Sequence, residues 1–384
     1  MTDQPTTTAK ATVTDQPATT AKATLTVVLL FGGRSSEHSI SCATAGGVLS
    51  AIDRTKYTVI PVGITRDGAF TVQPDDADMF TLNPDAMPAV IDNGTRIRWP
   101  ESSLSRELRV TDADGTTRSL GEVDVVFPIL HGPFGEDGTI QGLVELTGLP
   151  YVGNGVLASA MGMNKHFTKL ALEAAGVSVA PWVTVSRMQW EREPAVWRQR
   201  ASSLGFPVFV KPARAGSSVG VTKVTGPDEL DAACATAFAE DSTALIEQAM
   251  AGREIECGVL SGRDGGETRV SVAGEIVVTG REFYDFDAKY LDVSAAQLIC
   301  PAPLHDGELW QMQRTAARAF EAIGGAGLAR VDFFFDGIEF VVNEINTLPG
   351  FTPISMFPKC WAASGMSYPE LIDELIELGL EAVR

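Results

Sequence analysis

The chain has 384 residues, 45% of them hydrophobic, and a formal net charge of −19 at pH 7. This length exceeds one ordinary hydrophobic core and predicts two or three domains. The acidic balance disfavours nucleic acid or an anionic membrane as a partner, and no apolar run is long enough to span a bilayer, so we expect a cytoplasmic protein. Five scattered cysteines without a C-x-x-C pair predict neither a disulfide framework nor a zinc site.

The chain begins with a near-exact repeat, TDQPTTTAKAT followed by TDQPATTAKAT. The repeat contains no large apolar residue and therefore cannot bury a core. It also lacks the arginines of a transit peptide and the apolar segment of a signal peptide. We predict a disordered tail over residues 1–24.

Residues 25–164 alternate apolar strands with helices, which predicts an open, mostly parallel sheet. Two polar segments follow strands, Gly32–Ser39 and His131–Gly138, and open α/β sheets bind ligands at that edge. The first segment lacks the glycine spacing of a dinucleotide site, which argues against a nicotinamide enzyme. Glu37 and Ser39 could instead cap the helix, and a lone histidine such as His131 is often only a structural hydrogen-bonding group.

Residues 165–251 predict a small α+β lid, with Lys165 at the start of an amphipathic helix. The Gly/Ser-rich stretch Lys211–Gly220 lies between two strands and could offer backbone N–H groups and the Lys211 charge to phosphate. A plain turn is one alternative. Another is a hydrolase nucleophile elbow at Gly216-x-Ser218-x-Gly220 with His305, but an elbow must lead into a helix and VTKV is strand-like.

Residues 252–384 contain a predicted hairpin that turns at Asp336-Gly337. Arg330 and Asp332 alternate with apolar residues on its first strand, as Glu344 and Asn346 do on its second, so the four can share one face. Oxygen ligands beside an arginine suit a magnesium-phosphate site. The alternative is a solvated face with two salt bridges. Upstream, the aromatic and polar stretch 283–290 predicts a loop that closes over a site.

Arg330-x-Asp332 followed by Asn343-Glu344-Ile345-Asn346-Thr347-x-Pro349-Gly350 resembles the signature of the ATP-grasp D-alanine:D-alanine ligases. Matching blocks lie at 31–41, 131–142, 211–220 and 283–290, so the resemblance covers essentially everything after residue 25. It implies an ATP-grasp fold of α/β and α+β parts. The N-terminal open parallel-sheet domain would span 25–164, the small central lid 165–251, and the C-terminal antiparallel-sheet domain 252–384.

The resemblance also implies the reaction. ATP would phosphorylate one D-alanine, and the amine of a second would attack the D-alanyl phosphate, giving D-alanyl-D-alanine, ADP and phosphate for peptidoglycan precursor synthesis. Mg²⁺, or alternatively Mn²⁺, would be required, and a homodimer is expected.

Site roles follow from the same resemblance, residue by residue. The implied nucleotide ligands, covering phosphates, adenine and ribose, are Lys165, Lys211, Lys289, Glu247, Met250, Glu254 and Phe283. The implied metal ligands are Asp332, Glu344 and Asn346. The implied catalytic and D-alanine-binding residues are Glu37, Ser217, Tyr290, His131, Arg330, Gly350, Ser355 and Met356.

Two alternatives to this function remain open from the sequence. One is another carboxylate ligase of the same fold, such as a D-Ala-D-lactate or D-Ala-D-serine ligase, for which Tyr290 and the segment 350–356 would be decisive. The other is a non-catalytic nucleotide sensor, which would be expected to lack a metal ligand or Arg330. The sequence contains all three implied metal ligands and Arg330.

Overall fold

The computed structural model describes residues 24–83, 86–278 and 296–382. The predicted tail up to residue 23 lies outside these ranges, as do Phe283, Lys289 and Tyr290. No helix in the described ranges has the length and hydropathy needed to cross a membrane.

The N-terminal part is built on a sheet in which β1 is parallel to both β2 and β7, and β3 is antiparallel to β2. Its strands are β1 Leu25–Gly32, β2 Tyr57–Ile64, β3 Phe70–Val72 and β7 Val125–Pro128. Residues 27–31 of β1 are completely buried because apolar clusters cover both faces of the sheet. A continuous apolar run is what a parallel strand covered on both sides requires.

Helices and a second, antiparallel sheet surround this core. The small sheet runs β4 Arg96–Arg98, β5 Glu107–Thr111 and β6 Thr117–Glu122. The helices are α1 His38–Ala51, α2 Thr139–Thr147 and α3 Val156–Met163. At the β1–α1 turn, Gly32 has φ +90° and a Cβ there would lie 2.4 Å from the Ile64 carbonyl oxygen, so only glycine fits.

The middle of the chain forms a four-stranded antiparallel sheet in the order β10-β9-β11-β8. The strands are β8 Trp182–Ser186, β9 Val208–Pro212, β10 Thr222–Val224 and β11 Thr243–Gln248. Helices α5 Arg187–Arg192, α6 Pro194–Ser202 and α7 Leu230–Glu240 pack on it. The preceding helix, α4 Lys165–Ala174, buries Leu172 in the core of the next sheet.

The C-terminal part is a five-stranded antiparallel sheet in the order β14-β13-β12-β15-β16. Its strands are β12 Arg253–Leu260, β13 Arg269–Val278, β14 Ala296–Ile299, β15 Leu328–Phe335 and β16 Phe340–Asn346. The helices are α8 Asp306–Ala322, α9 Met356–Ala363 and α10 Tyr368–Glu381. Helix α10 packs its Leu371, Ile372 and Leu375 into the core of the N-terminal sheet, which joins the two ends of the described chain.

Candidate active site

A cavity of about 1320 Å³ lies among the three larger sheets. All fifteen described residues that the sequence pointed to line it: Glu37, His131, Lys165, Lys211, Ser217, Glu247, Met250, Glu254, Arg330, Asp332, Glu344, Asn346, Gly350, Ser355 and Met356. Phe283, Lys289 and Tyr290 lie outside the described residues, so their positions stay a prediction.

The predicted hairpin is confirmed. Strands β15 and β16 are antiparallel and pair Arg330 with Asn346 and Asp332 with Glu344. The Arg330 guanidinium donates from Nε and Nη2 to the two Asp332 carboxylate oxygens, each at 2.7 Å, and Asn346 donates its amide N–H to Asp332 Oδ2 at 3.0 Å. Cross-strand register therefore places the four predicted polar side chains together on one face.

Glu256 on β12 belongs to the same group, and the sequence analysis missed it. Its Oε2 lies 3.1 Å from Arg330 Nε, and the residue is 6% exposed. Burial opposes ionisation of Arg330, but Asp332 and Glu256 outweigh burial and raise its pKa further above the ordinary value. The Arg330 guanidinium thus faces the carboxylates of Asp332, Glu256 and Glu344, and we call this carboxylate-rich group of described residues the negative wall. The sequence contained a signal for Glu256, because it lies two residues after the predicted site residue Glu254 on one strand and therefore shares its face.

The opposite balance of charge is found on the antiparallel four-stranded sheet in the middle of the chain, β10-β9-β11-β8, which is called the four-stranded sheet below. The buried Glu247 carboxylate lies 2.8 Å from Lys211 Nζ and 2.7 Å from Lys169 Nζ, and Lys169 is only 2% exposed. Burial disfavours the Glu247 carboxylate, but the two ammonium groups outweigh it and lower its pKa. Two cations against one anion leave this wall net positive. Lys169 was also missed, although it lies one helical turn after Lys165 on α4.

The Gly/Ser-rich segment between β9 and β10 is a hairpin loop that reaches towards the N-terminal part. Lys165 Nζ donates to the Ala215 carbonyl at 2.7 Å, and the Ser217 hydroxyl donates to Glu37 Oε1 at 2.5 Å. Ser217 and Ser218 have φ of 51° and 58°, a left-handed conformation that is uncommon for serine and often marks a functional loop. Because β9 pairs antiparallel with β10, the loop leads into a strand, which excludes the nucleophile-elbow alternative.

Glu37 precedes α1 without forming a side-chain cap, so the capping alternative for it is wrong. Beside it, His131 is 5% exposed, with Nδ1 3.6 Å from Glu136 Oε1. Burial alone would lower the pKa of His131, but the pairing with Glu136 outweighs burial and raises it above 6.5. His131 Nε2 is buried and has no hydrogen-bond partner among the described residues, which leaves it available to a ligand.

The far end of the cavity is formed by the turn 350–355 and the start of α9. Thr352 donates its backbone N–H to Ser355 Oγ at 3.2 Å, and Met356 is the first residue of the helix. Lys359, one turn later, also lines the cavity. A helix N-terminus and an ammonium group both favour an anion, such as a carboxylate.

Taken together, the cavity has lysine ammonium groups on one wall, carboxylates on another and a helix N-terminus at its far end. These are the requirements for binding a nucleotide phosphate, a divalent cation and a small acid side by side.

Comparison with known proteins decides the family. Residues 26–154 match the family described as D-ala D-ala ligase N-terminus, and residues 171–377 match D-ala D-ala ligase C-terminus. The chain belongs to the D-alanine:D-alanine ligase family. The predicted family, ATP-grasp fold and ligase activity on two D-alanine molecules are therefore confirmed.

Individual relatives agree with this assignment. A D-alanine--D-alanine ligase from Paenarthrobacter aurescens is 52% identical over 92% of this chain and 94% of its own length. The D-alanine-D-alanine ligase structure from Coxiella burnetii superposes with a TM-score of 0.75 at 34% identity, covering 94% of this chain and 95% of its own. The VanG D-Ala:D-Ser ligase from Enterococcus faecalis has a TM-score of 0.79 at 33% identity, covering 93% and 100%.

Proposed function

We propose that this chain ligates two D-alanine molecules at the described cavity, with ATP bound between the four-stranded and five-stranded sheets. One observation supports the assignment of roles: Lys165 and Lys211 line the same cavity as Asp332 and Glu344. Lys169 lies behind this lining and contacts Glu247. A tetra-anionic nucleotide needs the first wall, and the divalent cation that accompanies it needs the second.

The nucleotide would be held along β9, β11 and β12. Lys165 and Lys211 bind its α- and β-phosphates, while Glu247 and Met250 meet the adenine and Glu254 the ribose. Lys169 keeps the Glu247 carboxylate charged and in place through its 2.7 Å contact. By family resemblance, Phe283, Lys289 and Tyr290 complete the nucleotide site and its closure.

Asp332, Glu344 and Asn346 fit Mg²⁺, and Mn²⁺ as an alternative. They supply two carboxylates and one amide oxygen, and Mg²⁺ in nucleotide sites takes only one or two carboxylates with the phosphates. The described residues contain no group of three or more histidine, cysteine, aspartate or glutamate side chains placed to hold a metal ion, so these two carboxylates and the amide would need phosphate oxygens to complete the shell. When bound, the cation would neutralise phosphate charge.

The first D-alanine lies between Glu37 and the negative wall. Glu37 accepts its ammonium group, and the Ser217 hydroxyl fixes the Glu37 carboxylate through the 2.5 Å hydrogen bond. The carboxylate oxygen of this D-alanine attacks the γ-phosphorus, the bond to the ADP oxygen breaks, and D-alanyl phosphate forms.

The second D-alanine lies at the start of α9. Gly350, Ser355 and Met356 bind its carboxylate at the positive end of the helix dipole. Its neutral amine attacks the carbonyl carbon of D-alanyl phosphate, a proton leaves the nitrogen, and phosphate departs. Arg330, whose Nε and Nη2 donate to the two Asp332 oxygens, stabilises the tetrahedral oxyanion. His131 orients this substrate or accepts the amine proton through Nε2.

The test is phosphate release from ATP and Mg²⁺ with D-alanine, with L-alanine in parallel, and with products identified by mass. We expect phosphate only with D-alanine, together with the dipeptide mass. A Glu37→Gln variant, purified identically, controls for a contaminating host ligase because contaminating activity would persist in it. ATP binding without D-alanine-dependent phosphate would contradict the proposal.

One second function has a specific observation in its favour, since a similar solved structure is described as a D-Ala:D-Ser ligase. Adding D-serine or D-lactate beside D-alanine tests it. We expect the dipeptide of two D-alanines to dominate, and a dominant mixed product would favour the second function.

We also propose a homodimer and a cytoplasmic location, both on family resemblance. Exposed Leu146 on α2 and Leu157 on the adjoining α3 offer apolar surface for such an interface. Light scattering should report twice the 40.8 kDa chain mass, and a monomer would contradict the dimer. Cell fractionation tests the location.

A further inference from the structure

Two cysteines lie side by side behind the wall of the cavity. Cys300 follows β14, and Cys360 lies within α9, 60 residues later. Their sulfur atoms are 3.8 Å apart. The structure holds both as free thiols.

The surroundings of the pair favour reaction at one sulfur and stability at the other. Cys360 is fully buried in a small apolar cluster with Ile276 and Met356, whereas Cys300 lies at the edge of this cluster and is partly exposed. The hydrogen bond between the two thiols, together with the nearby Lys359 ammonium group, lowers the pKa of Cys300. An exposed thiol with thiolate character is the one that oxidants reach first.

We propose that Cys300 and Cys360 form an oxidation-sensitive dithiol site that closes reversibly to a disulfide. The oxidant class is a peroxide. The Cys300 thiolate attacks a peroxide oxygen, the O–O bond breaks, and a sulfenic acid forms with release of water after protonation. The Cys360 sulfur then attacks the Cys300 sulfur, the S–O bond breaks, and a second water leaves. Overall, two thiols are oxidised to one disulfide and one hydrogen peroxide is reduced to two waters.

The distance makes this closure local. A disulfide requires about 2.05 Å between sulfurs, so the two atoms must approach by roughly 1.8 Å, which rotation of the two side chains can supply. The bond would tie the end of β14 to α9, the helix whose first turn carries Ser355 and Met356. Oxidation or reduction of the pair would therefore add or remove a covalent link to the helix that begins at the wall of the cavity.

The test is peptide mapping of the full-length protein after treatment with hydrogen peroxide, with free thiols alkylated before digestion. We expect one cross-linked peptide pair joining Cys300 to Cys360, with a mass 2 Da below the sum of the reduced peptides, which disappears after dithiothreitol. The cross-link should be absent from Cys300→Ala and Cys360→Ala. It should persist in Cys234→Ala, whose thiol is buried in the separate core of the four-stranded sheet.

Two results of the peroxide treatment would contradict the proposal. If Cys300 accumulates as sulfinic acid while Cys360 stays alkylatable on denaturation, Cys360 does not resolve the sulfenic acid and the proposal is overturned. Should Cys360→Ala fail to fold, the partly exposed Cys300→Ala still provides the comparison. In Cys300→Ala, peroxide treatment should leave Cys360 reduced, because Cys300 is the sulfur that reacts first; oxidation of Cys360 there would overturn the proposed order.

Discussion

The two charged walls of the cavity contain buried ion pairs of similar geometry. Cations outnumber the anion in one group of paired side chains, and anions outnumber the cation in the other. On the four-stranded sheet two lysines share Glu247, and on the five-stranded sheet Asp332 and Glu256 share Arg330. In both, the contacts are 2.7–3.1 Å long. The surplus charge, not the pairing, distinguishes them. A ligand of opposite charge would lower the cost of burying these groups, which supports the positions proposed for the nucleotide and the cation.

The largest effect should follow from removing the shared anion of the positive wall. Glu247→Gln leaves Lys169 and Lys211 buried without their counter-charge, which costs about 3–5 kcal/mol. In a protein of this size that corresponds to a fall in Tm of roughly 5–15 °C, measured by calorimetry without nucleotide.

The control uses an exposed ion pair between α6 and α7, two helices that pack on the same sheet. Asp231 lies 2.6 Å from Arg198 at the surface, and exposed pairs contribute little. Asp231→Asn should leave Tm within about 1 °C of wild type. If both variants lower Tm equally, burial does not distinguish the positive wall.

The next effect concerns the shared cation of the negative wall. Arg330→Lys keeps the positive charge but loses the planar guanidinium that binds both Asp332 oxygens. This guanidinium is also the proposed donor to the oxyanion. We expect kcat to fall by about 10²–10³-fold, the usual consequence of losing an oxyanion donor. Steady-state kinetics with saturating ATP and D-alanine measures this.

Arg253 provides the matched control, because it pairs with Glu275 at 2.7 Å on the same sheet. Arg253→Lys should leave kcat within about twofold of wild type, because neither Arg253 nor Glu275 lines the cavity. An Arg330→Lys enzyme with wild-type kcat would remove Arg330 from the proposed mechanism.

A smaller effect separates the two carboxylates that share Arg330. Only Asp332 is a proposed metal ligand, so Asp332→Asn should raise the Mg²⁺ concentration for half-maximal activity by about 10- to 100-fold. Glu256→Gln removes a charge 3.1 Å from Arg330, compared with 2.7 Å for Asp332, and should leave this concentration within about threefold. Magnesium titrations of both variants decide the point, and equal shifts would mean that net charge alone, not ligation, sets the requirement.

How much of this site the sequence could predict depends on the kind of signal. Alternation along β15 and β16 was enough to place Arg330, Asp332, Glu344 and Asn346 on one face, because strand period fixes sides. It could not show that Asp332 is held by both Arg330 and Asn346, since these contacts depend on register. The spacing of Glu256 from Glu254 and of Lys169 from Lys165 indicates that each pair shares a face. Neither Glu256 nor Lys169 belongs to a motif that the sequence analysis used.

The contact between Glu37 and Ser217 joins residues 180 positions apart, and spacing says nothing about such distances. Family resemblance, not pattern, paired them. The domain boundaries at 164 and 251 stay predictions. Sequence also gave no indication that Cys300 and Cys360 would meet, because contact between a strand end and a helix interior follows from tertiary packing alone.

The smallest effect lies outside both walls, at His131 and Glu136. On folding, the pairing raises the pKa of His131 above 6.5, and burial raises the pKa of Glu136 above 4.5. Each raised pKa contributes stability that is fully present below the unfolded value and is lost as pH rises through the folded value. Wild-type stability should therefore fall as pH rises from about 5 to 8.

Glu136→Gln removes one titrating group and the partner that holds the proton on His131, so its Tm should change less over that range. Parallel Tm curves for the two proteins would show that this pair does not set the pH dependence, and would leave His131 as an uncharged hydrogen-bonding group in the cavity.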